Sequence, residues 1–382
     1  MVGAGGTKSG AGNICWITGR KISDLCSTTT LALAAGISDA GYNITILNPD
    51  KSMDGQNPSW NHYCLKQSKI RGLQASSVVK SAMKWFVEHK DPAFDLILLD
   101  WQLARKLIPF LNDKNYRIML IDRSPPADTS ILSKFQWKHW KYAWGCVFNG
   151  IVARGCVVSK AHGEFVQQYF PDISDKIHII PAGVNTDLFK PVQRPLLDDE
   201  TRLFYHGRLD KHRGVMALPM LAQKLQNEGI NAKLTMIGEG DVFVKLKNIS
   251  RDNSWLCVHG KMEQIDLASI INKQHIGLLP MPEYKVWVLA SPLKRSEYLS
   301  SGLLVLGLNH KGHTLEHTES SWFQLIDQHE FHDVAVEWIK SLNDIKFEEG
   351  SKNARNYAKR HSSWEHSTNE LNSGIQLSIR EV

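Results

Sequence analysis

Two seven-residue stretches, "FDLILLD" at 94–100 and "YRIMLID" at 116–122, constrain this chain more than any other feature. Each is a nearly continuous apolar run that ends in an aspartate. A strand with one wet face would alternate, so such runs belong to parallel strands covered on both sides. Polar residues at the C-terminal tips of such strands line a ligand crevice. "NICWIT" (13–18), "GYNITIL" (41–47), "GCVVS" (155–159) and "KIHIIPAGV" (176–184) read the same way, with an apolar helix from about Thr28 to Ala40. After the charged, Pro-rich "KPVQRPLLDDE" (190–200) the pattern restarts with "RLFYHG", a helix to about Glu228, "KLTMIG", "LCVHG", "IGLLP" and "LLVLGL". Strands alternating with helices predict an α/β chain of two doubly wound, Rossmann-like domains facing across a cleft. The expected boundaries are 1–189, a linker at 190–200, a second domain at 201–351, and a polar helical segment at 352–382 that can cross back to the first domain.

At 382 residues the chain is too long for one core. No apolar stretch reaches membrane-spanning length, and the start "MVGAGGTKSGAGN" lacks the apolar centre of a signal peptide. Six cysteines show no C-x-x-C pair and no metal-ligand spacing with the histidines, which predicts free thiols in a reducing cytoplasm and no bound metal. The net charge of +6 is uneven: residues 1–190 carry +7 and residues 191–382 carry −1. A basic first half suits a phosphorylated substrate or an anionic lipid surface, and solubility alone would account for it equally well. Nothing points to nucleic acid.

"GAGGTKS" fails as a P-loop, because glycine does not directly precede the lysine and the stretch comes before the first strand. It reads as a flexible tail. "FYHGRLDKHRG" (204–214) is more informative, since a glycine and Arg208 follow a strand tip and Arg213 opens the next element. Guanidinium groups there can grip phosphate oxygens in a fork. "TMIGEGD" (235–241) is a similar strand-to-loop switch around Gly238. In "SPLKRSEYLSSG" (291–302) Ser291 is expected as N-cap and Pro292 as first helical residue. The N–H groups of Leu293 and Lys294 would then face an anion, with Glu297 one turn further along.

In their order, these segments resemble the C-terminal domain of retaining glycosyltransferases of the GT-B fold, closest in type to glycosyltransferase family four. The likeness is strong over roughly 155–310 and weak over the first 90 residues. It implies a nucleotide-diphospho-sugar donor held mainly by the second domain, 201–351, and an acceptor bound by the first, 1–189. Arg208 would bind the diphosphate, with Arg213 where the family usually has Lys and Lys211 as a substitute; Glu297 would hold the ribose. Gly238, Ser291, Leu293 and Lys294 complete that expected donor set. Two departures follow. Where many members carry a first Glu this chain has Leu289, and Glu283 has the wrong spacing. Where many have a His after a first-domain strand, Asp122 and Arg123 stand, and they are assigned to the acceptor or the reacting sugar. Together with Arg208 and Arg213 they form the expected catalytic set.

The segment "KFQWKHWKYAW" (134–144) puts Trp137, Trp140 and Trp144 on one helix face with Lys134, Lys138 and Lys141 beside it. That composition suits a helix lying in a membrane interface and an acceptor taken from it, although a Trp face packed on the first sheet would have the same spacing. The resulting expectation is a metal-independent, hexosyltransferase-type retaining enzyme without cofactor. It would be cytoplasmic or peripheral at the inner membrane face and act on a glycan or lipid-linked acceptor. A nucleotide-sugar epimerase of the same fold and an inactive nucleotide-sugar-binding or scaffolding protein are the alternatives.

Overall fold

The computed structural model describes residues 12–23, 28–50, 60–70, 72–126, 131–197, 199–315 and 321–380. The glycine-rich start (1–11) and Cys26 lie outside the described residues. The chain divides into two compact units, one of residues 1–181 with 364–382 and the other of 182–363.

Unit 1 is built on a parallel seven-stranded sheet. Its strands are β1 (Gly12–Ile17), β2 (Tyr42–Asn48), β3 (Asn61–Cys64), β4 (Leu96–Asp100), β5 (Ile118–Ile121), β6 (Arg154–Val157) and β7 (Ile177–Ile179). The order is β3-β2-β1-β4-β5-β6-β7. All residues of β4 and β5 are buried, as their unbroken apolar runs require. The last helix, Trp364–Arg380, belongs to this unit and packs on Thr28–Asp39. At the crossing a side chain on Gly36 would run into Thr368. From the sheet, His178 Nε2 donates to the Glu370 carbonyl (2.6 Å).

Unit 2 repeats the design with six parallel strands in the order β10-β9-β8-β11-β12-β13. They are β8 (Thr201–His206), β9 (Ala232–Ile237), β10 (Leu256–His259), β11 (Ile276–Leu279), β12 (Leu304–Leu308) and β13 (Phe323–Ile326). In both sheets the order reverses beside the first strand, between β1 and β4 and between β8 and β11. In open parallel sheets ligands collect at the C-terminal strand ends of such switch points.

The stretch 190–200, read in sequence as a linker, lies inside unit 2. Leu197 is buried there. The Arg194 guanidinium donates to the carbonyls of Asn272 (3.0 Å), Gly302 (3.1 Å) and Ser301. Burial pushes its pKa down to about 10. Charge and proline suggested exposure, but an arginine satisfied by backbone carbonyls can be packed in. The expected segment 352–382 is likewise divided: the helix Asp344–His361 is in unit 2 and Trp364–Arg380 in unit 1.

Candidate functional site

The switch point of unit 2 gathers most of the residues singled out in sequence. β8 ends at His206, and Gly207 follows with φ +123°, which an L side chain rarely adopts. Gly207 N–H donates to the Ile237 carbonyl (2.9 Å), and a Cβ on Gly238 would sit 1.8 Å from the Gly207 oxygen. Two strand-end loops thus meet backbone to backbone, and only glycine at 238 permits it.

Arg208 leaves this junction with its side chain 56% exposed. Its Nε and Nη2 donate to the two oxygens of Asp210 (3.1 and 3.0 Å), which leaves Nη1 for a ligand. Asp210 also lies 3.8 Å from Arg213 Nε and accepts from the Asp241 N–H (3.2 Å). The bond from Arg208 holds the Asp210 carboxyl below its ordinary range. One buried carboxylate therefore fixes two cations, and charged-group hydrogen bonds are the stronger kind. The Arg213 guanidinium lies over the Trp287 ring at 5.6 Å. Lys211 is exposed, and its N–H donates to Asp241 (2.7 Å).

The helix expected from Ser291 starts later, at Leu293, with Pro292 as its N-cap. The Ser291 hydroxyl instead accepts from the Ala182 N–H (3.1 Å). It ties the helix entrance to the start of the unit, and the capping assignment is corrected. Leu293 and Lys294 are the first two residues of the helix, so their N–H groups have no intrahelical carbonyl. Glu297 is on the buried face, its Oε2 2.9 Å from His206 Nε2.

Lys294 offers its ammonium as well as its N–H. Nζ lies 4.5 Å from the Tyr205 ring centre and donates to the Tyr205 hydroxyl at 3.4 Å. A Cβ on Gly207 would approach it to 3.1 Å. Among the described residues no carboxylate is within ion-pair reach of it. Burial, reinforced by Arg213 and opposed by Glu297, pushes its pKa down to about 7. A packed cation without a counter-ion is disposed to receive an anion. Leu289 is buried and carries no charge, while Glu283 is exposed and lines one cavity with Lys211, Gly214 and Asp241.

In unit 1 the outcome differs. Asp122 follows β5 and is 1% exposed. Its Oδ2 accepts from the indole N–H groups of Trp140 (2.6 Å) and Trp144 (2.9 Å), and His162 Nε2 is 3.2 Å away. Its Oδ1 accepts from the Ser124 N–H (3.1 Å). Its assignment to the acceptor or the reacting sugar is therefore corrected: this carboxylate holds the interior together. Arg123 is half-buried and donates through Nη2 to the Thr29 hydroxyl (2.8 Å). The Trp face is corrected with Asp122. Trp140 and Trp144 are fully buried within the helix Ile131–Phe148. Trp137 packs on Trp140, Phe165 and Tyr169 at 5.4–6.4 Å between ring centres. Indole N–H groups can enter a core when a carboxylate receives them. Lys134, Lys138 and Lys141 stay exposed.

No protein-family model matches the sequence, and no curated protein matches it. Among solved structures the likeness spans nearly the whole chain. A glycosyltransferase from Rickettsia africae aligns at a TM-score of 0.72, with 12% identity over 97% of this chain and 99% of that one. Sucrose-phosphate synthase from Thermosynechococcus elongatus aligns at 0.69, with 15% identity over 95% and 98%. The catalytic domain of starch synthase IV from Arabidopsis thaliana, bound to ADP and acarbose, aligns at 0.70, with 11% identity over 97% and 100%. The chain has the GT-B fold.

Within this GT-B chain, sequence reasoning passed over three groups at the unit 2 switch point: Asp210, His206 and the Lys294 side chain. Asp210 had a signal, since it is an acid two residues from one guanidinium and three from the other. His206 had none, because a histidine at a strand end looks like any other. Among the described residues no group of three or more His, Cys, Asp or Glu side chains is placed to hold a metal ion, and no helix is long and apolar enough to cross a membrane.

Proposed function

We propose that this chain is a retaining glycosyltransferase that moves a hexosyl group from a nucleotide-diphospho-sugar to a glycan or lipid-linked acceptor. The observation that carries the reading is the cluster of three cations, Arg208, Arg213 and Lys294, at the unit 2 switch point, with the start of an eight-residue helix in the same loop cluster. Two are aligned by one carboxylate and the third has no counter-ion in reach. A diphosphate bound there would meet preorganised positive charge as its own negative charge grows on departure, which is where electrostatic catalysis is strongest. Glu297 offers carboxylate oxygens to the vicinal ribose hydroxyls. In this reading protein cations do the work that a divalent metal would otherwise share, and no cofactor is involved.

The GT-B fold shared with enzymes such as sucrose-phosphate synthase supports this assignment, and nothing in the site favours the epimerase or the inactive binding protein. The five cysteines among the described residues are free, which suits a reducing, cytoplasmic setting. A peripheral membrane role would rest on Lys134, Lys138 and Lys141 without the tryptophans.

Calorimetric titration of UDP, ADP and GDP into the full chain tests the donor site. One of them is expected to bind. Arg208→Ala should weaken that binding on the order of tenfold to a hundredfold. Equal affinity in the variant would remove Arg208 from the site.

A further inference from the structure

Two exposed cysteines make a matched pair. Cys64 sits in β3 and Cys257 in β10, each an edge strand, and each has a histidine two residues away. Alternate residues of a strand share a face, so both spacings allow a thiol to meet an imidazole. Only one does. In β3 the His62 Nε2 donates to Asn48 Oδ1 (2.6 Å) and the Cys64 Sγ to the Leu65 carbonyl (3.8 Å). In β10 the Cys257 Sγ donates to His259 Nε2 at 2.9 Å. The other cysteines among the described residues, Cys15, Cys146 and Cys156, are buried, and burial pushes all three thiols up, away from ionisation.

The Cys257–His259 pair stands on a rigid element. Leu256 and Val258 alternate with it and are buried. β10 runs parallel to β9 with Cys257 opposite Thr235, and the His259 carbonyl accepts from the Gly238 N–H (3.0 Å). The imidazole therefore stays within reach of the sulfur without a loop having to order. Neither strand contains an acidic residue, so the ladder brings no negative charge against a thiolate. A nucleophile and a base within hydrogen-bond distance are the two parts that activated thiols share. The thiolate is the form that attacks. Cys257 is exposed, so a reagent from solution reaches it directly.

We propose that Cys257 is a modification site, a thiol activated by His259 that exchanges with small disulfides of the glutathione class. The Cys257 proton passes to His259 Nε2, and the sulfur attacks one sulfur of the disulfide. The S–S bond of the reagent breaks, and the departing thiolate takes up the proton from the imidazole. One disulfide and one thiol thus give a mixed disulfide and a new thiol, with no further oxidant. The site owes nothing to the transferase reading and stands or falls without it.

Peptide mapping by mass spectrometry, after brief exposure of the full chain to oxidised glutathione at about pH 7, tests this. An ordinary thiol is only a few per cent thiolate there. Part of any gain in thiolate is offset by weaker nucleophilicity, so Cys257 should form its mixed disulfide about tenfold faster than Cys64. Dithiothreitol should remove the adduct. His259→Gln removes the base and should slow Cys257 to the Cys64 rate, while the Cys64 rate and the melting temperature stay as in wild type. Two results would overturn the proposal: Cys257 no faster than Cys64 in the wild-type chain, or a Cys257 rate that survives the loss of His259. The first comparison needs no variant, so it decides even if His259→Gln does not fold.

Discussion

Replacing Lys294 by methionine keeps most of the side-chain volume and removes only the charge. The wild-type pKa of about 7, against an ordinary 10.5, makes two effects of opposite sign calculable. In the ligand-free protein the folded state binds fewer protons than the unfolded one between pH 7 and 10.5, so stability rises with pH across that window. At pH 7 the buried amine costs up to about 4 kcal/mol, taking about 1.4 kcal/mol per pH unit. Lys294→Met should therefore melt higher than wild type at pH 7, and by less as the pH approaches 10. Ligand binding runs the other way. A diphosphate beside the ammonium stabilises its charged form, so wild-type affinity should fall roughly ten- to thirtyfold from pH 6 to pH 8.5. The assay is calorimetric titration of a nucleotide-sugar, whose diphosphate has no proton to lose in that range. Lys294→Met should bind about tenfold to a hundredfold more weakly at pH 6, with a flat pH profile. A variant that is no more stable than wild type, and binds with the same pH dependence, would refute the idea of a reserved cation.

Glu297→Gln should abolish the preference for a ribonucleotide over its 2′-deoxy analogue, measured by competition; equal discrimination in both proteins would give Glu297 another role. Asp122→Ala leaves two buried indole N–H groups without their acceptor, at about 1–3 kcal/mol each, so its urea midpoint should drop sharply while nucleotide affinity in the folded protein stays the same. With the tryptophans buried, Lys134, Lys138 and Lys141 contribute only about 1 kcal/mol each on anionic lipid. The full chain should therefore not sediment with phosphatidylserine vesicles at physiological salt; sedimentation abolished by changing the three lysines to glutamate would restore the membrane role.

The sheets were legible because burial on both faces leaves no choice of residue. "FDLILLD" and "YRIMLID" became β4 and β5 within two residues at each end. β3, "NHYC", and β13, "FQLI", were not read, and both are edge strands, where one side is free to be polar. The same limit governed the sites. Arg208, Arg213 and Glu297 could be found because glycines and a proline punctuate the chain around them, and backbone chemistry is local. His206 acts through Glu297, which is distant in sequence, and a strand-end histidine carries no spacing rule; Asp210, two and three residues from its guanidinium partners, was legible in principle. Asp122 shows how the two limits combine. A carboxylate at the tip of a buried strand has the sequence signature of a crevice residue, and a Trp-rich helix has that of a lipid-facing one. Each signal was correct about the residue's chemistry and silent about its partner. Once the indole N–H groups and the carboxylate meet, each removes the other's reason to face outward, so two functional signatures cancel into one element of the core.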